Sequence, residues 1–304
     1  MSIALYKSKQ FLAPLIKIIV IVICAYVFYL QWTERPLSFD SILFSLQKLP
    51  WFTLPLMISI SLSSWLVESK KWQYLIHDFY VLGFRQSLIQ NFTAQAASFI
   101  TPLRAGEFAL KPLFFAKTLR KNIWSRILAS NSAQMIITTI LGSIGVLFYL
   151  EQSLPLEAVY LLISTAVLLC LLVLAIAVWL IKKWDSRNMT LQKWRNTLLY
   201  SLLRYALFAS NWLLILWLLD DPSTPLLLIR DISVFYLAVS IIPVFQLFDI
   251  ALKWSVAAYV FQGSPYNVEP ILVATTLVWL TNSIVPTILG CALFPFQKLK
   301  TIEE

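Results

Sequence analysis

The segment PLRAGEFALK at residues 102–111 interrupts an apolar stretch of the chain with a proline, a glycine, an acid and two bases. A second segment, PVFQLFDIALK at residues 243–253, interrupts a later apolar stretch, and in both segments an acid is followed four residues later by a lysine. A charged side chain in the hydrocarbon of a bilayer costs at least ~2.5 to 3.5 kcal/mol on insertion scales, so charges at that depth usually have a function. We call these the two polar segments, and the sequence predicts the functional site there.

The composition of the chain is that of an integral membrane protein. Hydrophobic residues make up 59% of the 304 positions, charged residues 13%, and the mean hydropathy is +0.76. No water-soluble domain of this length carries such a composition. The net charge is +9, and the Lys and Arg residues responsible for it lie in short clusters between apolar spans. It therefore indicates membrane topology and not a nucleic-acid-binding surface.

The apolar segments predict an all-α, polytopic bundle of transmembrane helices. Helices of about 17 to 25 apolar residues cross the ~30 Å of hydrocarbon in a bilayer. Six full spans are expected, at residues 11–30, 51–67, 127–150, 158–181, 197–219 and 270–296. Two further segments, residues 87–117 and 232–262, are apolar but broken by the polar segments. Each is expected to form a re-entrant helical hairpin or two short crossings, and the sequence leaves both readings open.

The distribution of Lys and Arg predicts the orientation of the spans. Most of these residues lie on one side of the membrane, only Arg35, Lys48 and Arg230 lie on the opposite side, and the rest lie within or border the membrane. Because short cytoplasmic loops carry an excess of basic residues, we expect a multi-pass protein of the inner (plasma) membrane with both termini in the cytoplasm. The first broken segment then enters from the cytoplasm and the second from outside.

The two halves of the chain share a pattern that indicates an inverted repeat. The sequence TILG occurs at residues 139–142, downstream of the first polar segment, and again at residues 287–290, downstream of the second. Similar segments that enter from opposite faces build the midplane binding sites of many secondary transporters. We therefore expect one membrane domain over residues 1–304, with repeats at residues 51–150 and 197–296.

The candidate substrate-binding residues are the charged members of the polar segments: Arg104, Glu107, Lys111, Asp249 and Lys253. Glu107 and Lys111 share one helix face because they are four residues apart, as do Asp249 and Lys253. A local ion pair that merely neutralises a buried helix is the alternative role. Arg104 favours a site, since a guanidinium beside unwound backbone suits a phosphate group.

Residues around the first break supply further candidates. The expected hinges are Pro102, Gly106 and Pro243. The secondary candidates are amides, with close helix packing as their alternative role: Asn91, Gln95, Asn131 and Gln134. Arg204 is close to the start of a predicted span, and we expect it to snorkel to the cytoplasmic surface.

The sequence gives little sign of enzymatic chemistry. It has a single histidine, His77, and its three cysteines lie inside apolar spans. It has no HExxH, Gly-x-Ser-x-Gly or nucleotide-binding motif. We therefore expect no catalytic residue, no metal site and no cofactor.

With its proline, its arginine and its Gly-Glu pair, the first polar segment resembles the lysylphosphatidylglycerol synthase transmembrane-region family. This is a flippase-like membrane module that occurs alone or fused to an aminoacyl-lipid synthase domain. In the second segment Pro243 and Asp249 fit the family pattern, whereas FQLF at residues 245–248 stands where the family usually has a glycine-rich turn. The resemblance covers nearly the whole chain and implies a standalone member without the synthase domain.

The resemblance implies that the protein moves a lipid between the leaflets of the membrane. The expected ligand is an anionic phospholipid or a polyprenyl-linked lipid whose headgroup binds near the membrane midplane, without lysyl transfer. The alternative is a non-transporting membrane partner that binds lipid or stabilises an envelope-synthesis complex. Envelope-synthesis proteins and a second copy of the chain are the protein partners that this interpretation leaves open.

Overall fold

The computed structural model of the protein describes residues 39–101, 105–150, 175, 179, 182–183, 189–220, 225–241, 249–261 and 268–296. Over these residues the chain is helical and has no strand, so the all-α prediction is confirmed. The predicted span at residues 11–30 lies outside the described residues, as does nearly all of the span at residues 158–181.

The first half of the chain contributes five described helices: α1 Phe39–Gln47, α2 Thr53–Ile76, α3 Phe84–Ile100, α4 Ala105–Leu110 and α5 Arg120–Leu150. The 3-10 turns Lys111–Phe114 and Lys117–Leu119 connect α4 to α5. The second half contributes α6 Leu191–Asp220, α7 Pro225–Ile241, α8 Asp249–Val260, α9 Val268–Trp279 and α10 Val285–Leu293. A π-helical segment, Leu280–Ile284, joins α9 to α10.

The helices are interrupted where the sequence predicts breaks. The first interruption separates α3, which ends at Ile100, from α4, which begins at Ala105. Thr101 has φ −106° and ψ 144°, the extended conformation that a following proline imposes on its predecessor. The second interruption separates α7 from α8, whose first residue is Asp249. Residues 102–104 and 242–248 lie outside the described residues.

Three described helical segments are long and apolar enough to cross a membrane: Lys117–Phe148, Leu191–Leu219 and Glu269–Leu293. Several helices run past the ends that hydropathy predicts. The 51–67 span becomes α2, which continues to Ile76, and the 197–219 span becomes α6, which starts at Leu191. Neutralised charges explain the extensions, since Asp78 pairs with Lys193 of α6 and with the buried Arg126 of α5.

Glycines mark the closest helix contacts, and two of them end the TILG segments. An added Cβ at Gly142 of α5 would lie 2.4 Å from Leu237 Cβ of α7. An added Cβ at Gly290 of α10 would lie 2.0 Å from the Phe92 carbonyl oxygen of α3. Both distances are shorter than van der Waals contact, so α5 packs on α7, and α10 on α3, only because these positions lack a side chain.

The π-helical segment has a local cause in the sequence. Pro286 lies at the start of α10, and a proline inside a helix has no N–H to donate and clashes with the preceding turn. The wider π turn that precedes the proline accommodates both effects. Asn282 and Ser283 belong to this widened turn and face the cavity described below.

Candidate functional site

A cavity of about 440 Å³ lies between the two halves of the described chain. Its walls come from α2, α3 and α5 of the first half and from α6 to α9 and the π segment of the second half. Most of the lining is aromatic or aliphatic, including Trp65, Phe208 and Tyr236. Its volume falls in the range of small-ligand sites, which are mostly apolar with a few polar groups.

The second polar segment reaches this cavity through Asp249 and Lys253. Both residues line it, and the Lys253 ammonium donates a hydrogen bond to the Asp249 carboxylate one helical turn away. The side chains are 16% and 17% exposed, so the pair is partly buried and still accessible. The structure therefore contains the local ion pair that the sequence analysis gives as the alternative role. Asp249 lies in the first turn of α8, where the helix dipole stabilises a negative charge.

Arg204 of α6 lines the same cavity. Its Nη1 donates to Glu68 Oε2 at 2.7 Å, and its guanidinium lies 4.9 Å from the Trp65 ring centroid and 5.0 Å from that of Phe208. The prediction that Arg204 snorkels to the surface is wrong. Because α6 begins six residues before the predicted span, Arg204 lies near the helix centre and points inward to an acid.

Glu68 of α2 connects two cations inside the bundle. Its side chain is 6% exposed and Oε2 lies 2.7 Å from both Lys71 Nζ and Arg204 Nη1, while Ser130 donates to Oε1 at 3.2 Å. The Lys71 side chain is 1% exposed and also donates to Ser201 of α6 at 3.3 Å. These contacts tie α2, α5 and α6 together through buried charge.

The first polar segment forms a second ion pair, which lies outside the cavity lining. Lys111 Nζ donates to Glu107 Oε1 at 2.7 Å, Asn131 donates to Glu107 Oε2 at 3.2 Å, and Lys111 lies 4.2 Å from the Trp72 ring centroid. The Lys111 side chain is 1% exposed, and neither Glu107 nor Lys111 is part of the cavity lining. Lys111 nevertheless acts electrostatically on Glu68, so the pair adjoins the Glu68 cluster.

The structure divides the secondary candidates into two groups. Gln95 and Gln134 line the cavity, whereas Asn91 donates to Ser69 of α2 at 3.1 Å and Asn131 holds Glu107. The last two amides therefore bond across helices, the packing role that sequence analysis gives as the alternative.

Gly106 serves as a close packing point between α4 and α3. An added Cβ would lie 2.2 Å from the Ala97 carbonyl carbon, and Gly106 N–H donates to Thr101 Oγ1 at 2.7 Å. The remaining predicted site residues, Pro102, Arg104 and Pro243, lie outside the described residues.

Sequence reasoning did not assign Glu68 or Lys71 to the site region, and it placed Arg204 at the surface. Lys71 adjoins Lys70 and so looks like part of a cytoplasmic basic cluster, although its side chain is buried. The available signal was the three-residue spacing of Glu68 and Lys71, which places them on one helix face. The partnership of Glu68 with Arg204 joins positions 136 residues apart and needs the tertiary structure.

Comparison with known proteins gives one family. The family model described as the lysylphosphatidylglycerol synthase TM region matches residues 15–260, most of the chain. No curated protein matches the chain.

Proposed function

The chain belongs to the lysylphosphatidylglycerol synthase TM-region family of membrane proteins, and we propose that it binds the headgroup of an anionic lipid in its cavity and moves that lipid between leaflets. The ligand is an anionic phospholipid or a polyprenyl-phosphate lipid. The proposal places the protein in the plasma membrane with both termini in the cytoplasm, and it assigns no catalytic step.

The observation that carries the proposal is a mostly apolar cavity lined by two cations and one acid, Arg204, Lys253 and Asp249. Ionisable groups within membrane-spanning helices are costly, and where they occur they usually mark a pathway or binding site. An apolar wall suits acyl or prenyl chains, and Lys253 can bind a phosphate as a point charge. Asp249 then provides the counter-charge for Lys253 when the cavity is empty.

Reciprocal packing of the two halves supports an inverted repeat as the basis of transport. Helix α5 follows the first break and packs on α7, the helix that precedes the second break. In the same way, α10 follows the second break and packs on α3, the helix that precedes the first break. A two-fold axis in the membrane plane would produce this exchange. We propose that residues 51–150 and 197–296 are the repeats and that one rocks against the other around the cavity.

The first polar segment takes a supporting role in this proposal. The buried Glu107–Lys111 pair fixes α4 behind the cavity and sets its charge balance. Arg104 is proposed to approach the headgroup from the first break, as the sequence predicts.

A lipid-movement assay tests the proposal. Purified protein is reconstituted into vesicles that contain fluorescent phosphatidylglycerol or fluorescent phosphatidylcholine, and dithionite quenches the label in the outer leaflet. Wild-type protein is expected to expose more than half of the phosphatidylglycerol label to dithionite. Lys253→Gln is expected to slow this exposure at least tenfold, whereas the control Lys117→Gln, at an exposed position, should match wild type.

Two outcomes separate transport from the alternative role. Quenching that stops at the outer-leaflet fraction with both phospholipids and with a fluorescent polyprenyl phosphate would contradict transport. If that protein still bound phosphatidylglycerol, the result would support the non-transporting membrane partner instead.

A further inference from the structure

Arg204 is a charged residue within a helix that is long and apolar enough to cross a membrane. It lies near the centre of α6, a helix of 30 residues and so about 45 Å long, in a segment able to cross a membrane. Charge within a membrane-spanning segment is costly, and an arginine there usually marks a ligand, ion or gating site.

The guanidinium of Arg204 is held in one orientation and keeps one buried donor without a partner among the described residues. The Trp65 and Phe208 rings flank it, and Glu68 accepts the hydrogen bond from Nη1. Its Nε–H has no hydrogen-bond partner among the described residues. A planar group with fixed orientation and a remaining donor suits the oxygens of a phosphate, which guanidinium binds with two parallel hydrogen bonds.

The net charge of the ionisable groups around Glu68 favours binding of an anion. In their ordinary charge states, Lys71, Lys111 and Arg204 carry three positive charges, against two negative charges on Glu68 and Glu107. Within the described part of the chain, this buried cluster therefore has one excess positive charge. The Asp249–Lys253 pair is neutral and leaves that excess unchanged. A phosphate diester beside Arg204 would neutralise it in a region where unpaired charge is costly.

We propose that Arg204, together with Lys253, binds the phosphate of the ligand, with Glu68 as the resident counter-ion of Arg204. This inference rests on the proposed function and specifies the chemistry of its site, namely a phosphate ester held by a guanidinium between two aromatic rings. A membrane lipid and a soluble phosphate ester share that chemistry. Because most of the remaining cavity lining is apolar, we propose that the ligand is the membrane lipid and not a soluble phosphate ester.

Binding to the detergent-purified full chain tests this assignment by calorimetric titration. The probes are dioctanoyl phosphatidylglycerol, glycerol 1-phosphate and dioctanoylglycerol, which separate the lipid from its phosphate and from its chains. Wild type is expected to bind the phospholipid at least tenfold more tightly than either other probe. Arg204→Gln should weaken phospholipid binding by at least tenfold, the loss typical of charge-assisted hydrogen bonds. Arg195→Gln, at an exposed position on the same helix, should leave it unchanged.

A double variant guards against misfolding. Glu68→Gln combined with Arg204→Gln removes both charges of the pair, so the net charge of the cluster stays the same and no buried acid is left alone. Lys71 loses its carboxylate but keeps its hydrogen bond to Ser201. If it matches the wild-type melting temperature but binds phosphatidylglycerol at least tenfold more weakly, the guanidinium itself is responsible. Wild-type affinity in a folded double variant would overturn the assignment.

The outcomes also distinguish this assignment from the proposed function. If Lys253→Gln weakens binding while both Arg204 variants bind as wild type, the lipid site stands and the role of Arg204 is refuted. If wild-type protein binds neither phosphatidylglycerol nor a short-chain polyprenyl phosphate, both are refuted. Equal binding of glycerol 1-phosphate and the phospholipid would refute the lipid as the ligand.

Discussion

Glu68 and Arg204 are 136 residues apart in the chain, yet Arg204 Nη1 lies 2.7 Å from Glu68 Oε2. This pair joins α2 of the first half to α6 of the second at the wall of the cavity. Lys71 shares the same carboxylate oxygen, and the Glu107–Lys111 pair lies close enough to act on it electrostatically. Charge buried in the bundle therefore extends from the first polar segment to the cavity.

Glu107→Gln is expected to destabilise the protein strongly. It leaves the Lys111 ammonium, 1% exposed, without its carboxylate, and breaking a buried pair from one side costs about 3 to 5 kcal/mol. The melting temperature of the detergent-purified protein should therefore fall by several degrees. In the combined variant Glu107→Gln and Lys111→Met, much of the loss should be recovered. An unchanged melting temperature in Glu107→Gln alone would show that the pair contributes nothing to stability.

Gly106→Ala is expected to displace α4 from α3. The new methyl group would lie 2.3 Å from the Ala97 carbonyl oxygen, and backbone atoms cannot yield as a flexible side chain can. Overpacking of this kind costs about 1 to 3 kcal/mol, so thermal stability and yield should both fall. Gly83→Ala is the matched control because the nearest atom to its Cβ would be 3.9 Å away. Equal stability of the two variants would contradict the close contact.

Asp78→Asn is expected to loosen the junction of α2, α5 and α6. Asp78 Oδ2 accepts from Arg126 Nη2 at 3.1 Å and from Lys193, so the substitution removes the charge that both cations share. Hydrogen bonds to charged groups contribute about 1.5 to 3 kcal/mol each. The melting temperature should fall, while Asp40→Asn, at an exposed position, should have no effect. A drop of equal size in both variants would point to a general effect of lost acidic charge.

The orientation can be tested at the two ends of α2. Trp51, 87% exposed, and Val81, 79% exposed, lie beyond opposite ends of this helix. In a cysteine-free background, we expect a membrane-impermeant thiol reagent to label Trp51→Cys in intact cells, and Val81→Cys only after the membrane is opened. Labelling of both cysteines from one side would show that α2 does not cross, and the reversed pattern would place the termini outside.

The sequence predicts those features of this protein that depend on neighbours along the chain. Composition predicts helices in a membrane, and the four-residue spacing predicts the pairs Glu107–Lys111 and Asp249–Lys253, both of which are present. Pro102 predicts the end of α3, because the residue before a proline avoids helical backbone. The family assignment from the first polar segment is also confirmed.

Features that depend on tertiary contacts could not be predicted from the sequence. Hydropathy ends a predicted span where charged residues begin. The predicted span for α2 therefore stops before Lys71, and the predicted span for α6 starts only after Lys193. In the structure both lysines are paired with acids, and both helices continue past these positions. The same truncation placed Arg204 close to a surface. The roles of Gly142 and Gly290 likewise follow from the helices that pack against them, which local sequence does not specify.

The central claim, an anionic lipid in the cavity, is tested most directly by site-specific photocrosslinking. A photoreactive amino acid replaces Val239, which lines the cavity, or Ile144, which is 47% exposed on α5 and lies outside the lining. After irradiation in native membranes, mass spectrometry identifies the attached lipid. We predict that the Val239 position captures lipid strongly enriched in anionic phosphate headgroups, while the Ile144 position captures the bulk lipid mixture. The same lipid mixture at both positions, or no lipid at Val239, would contradict the claim.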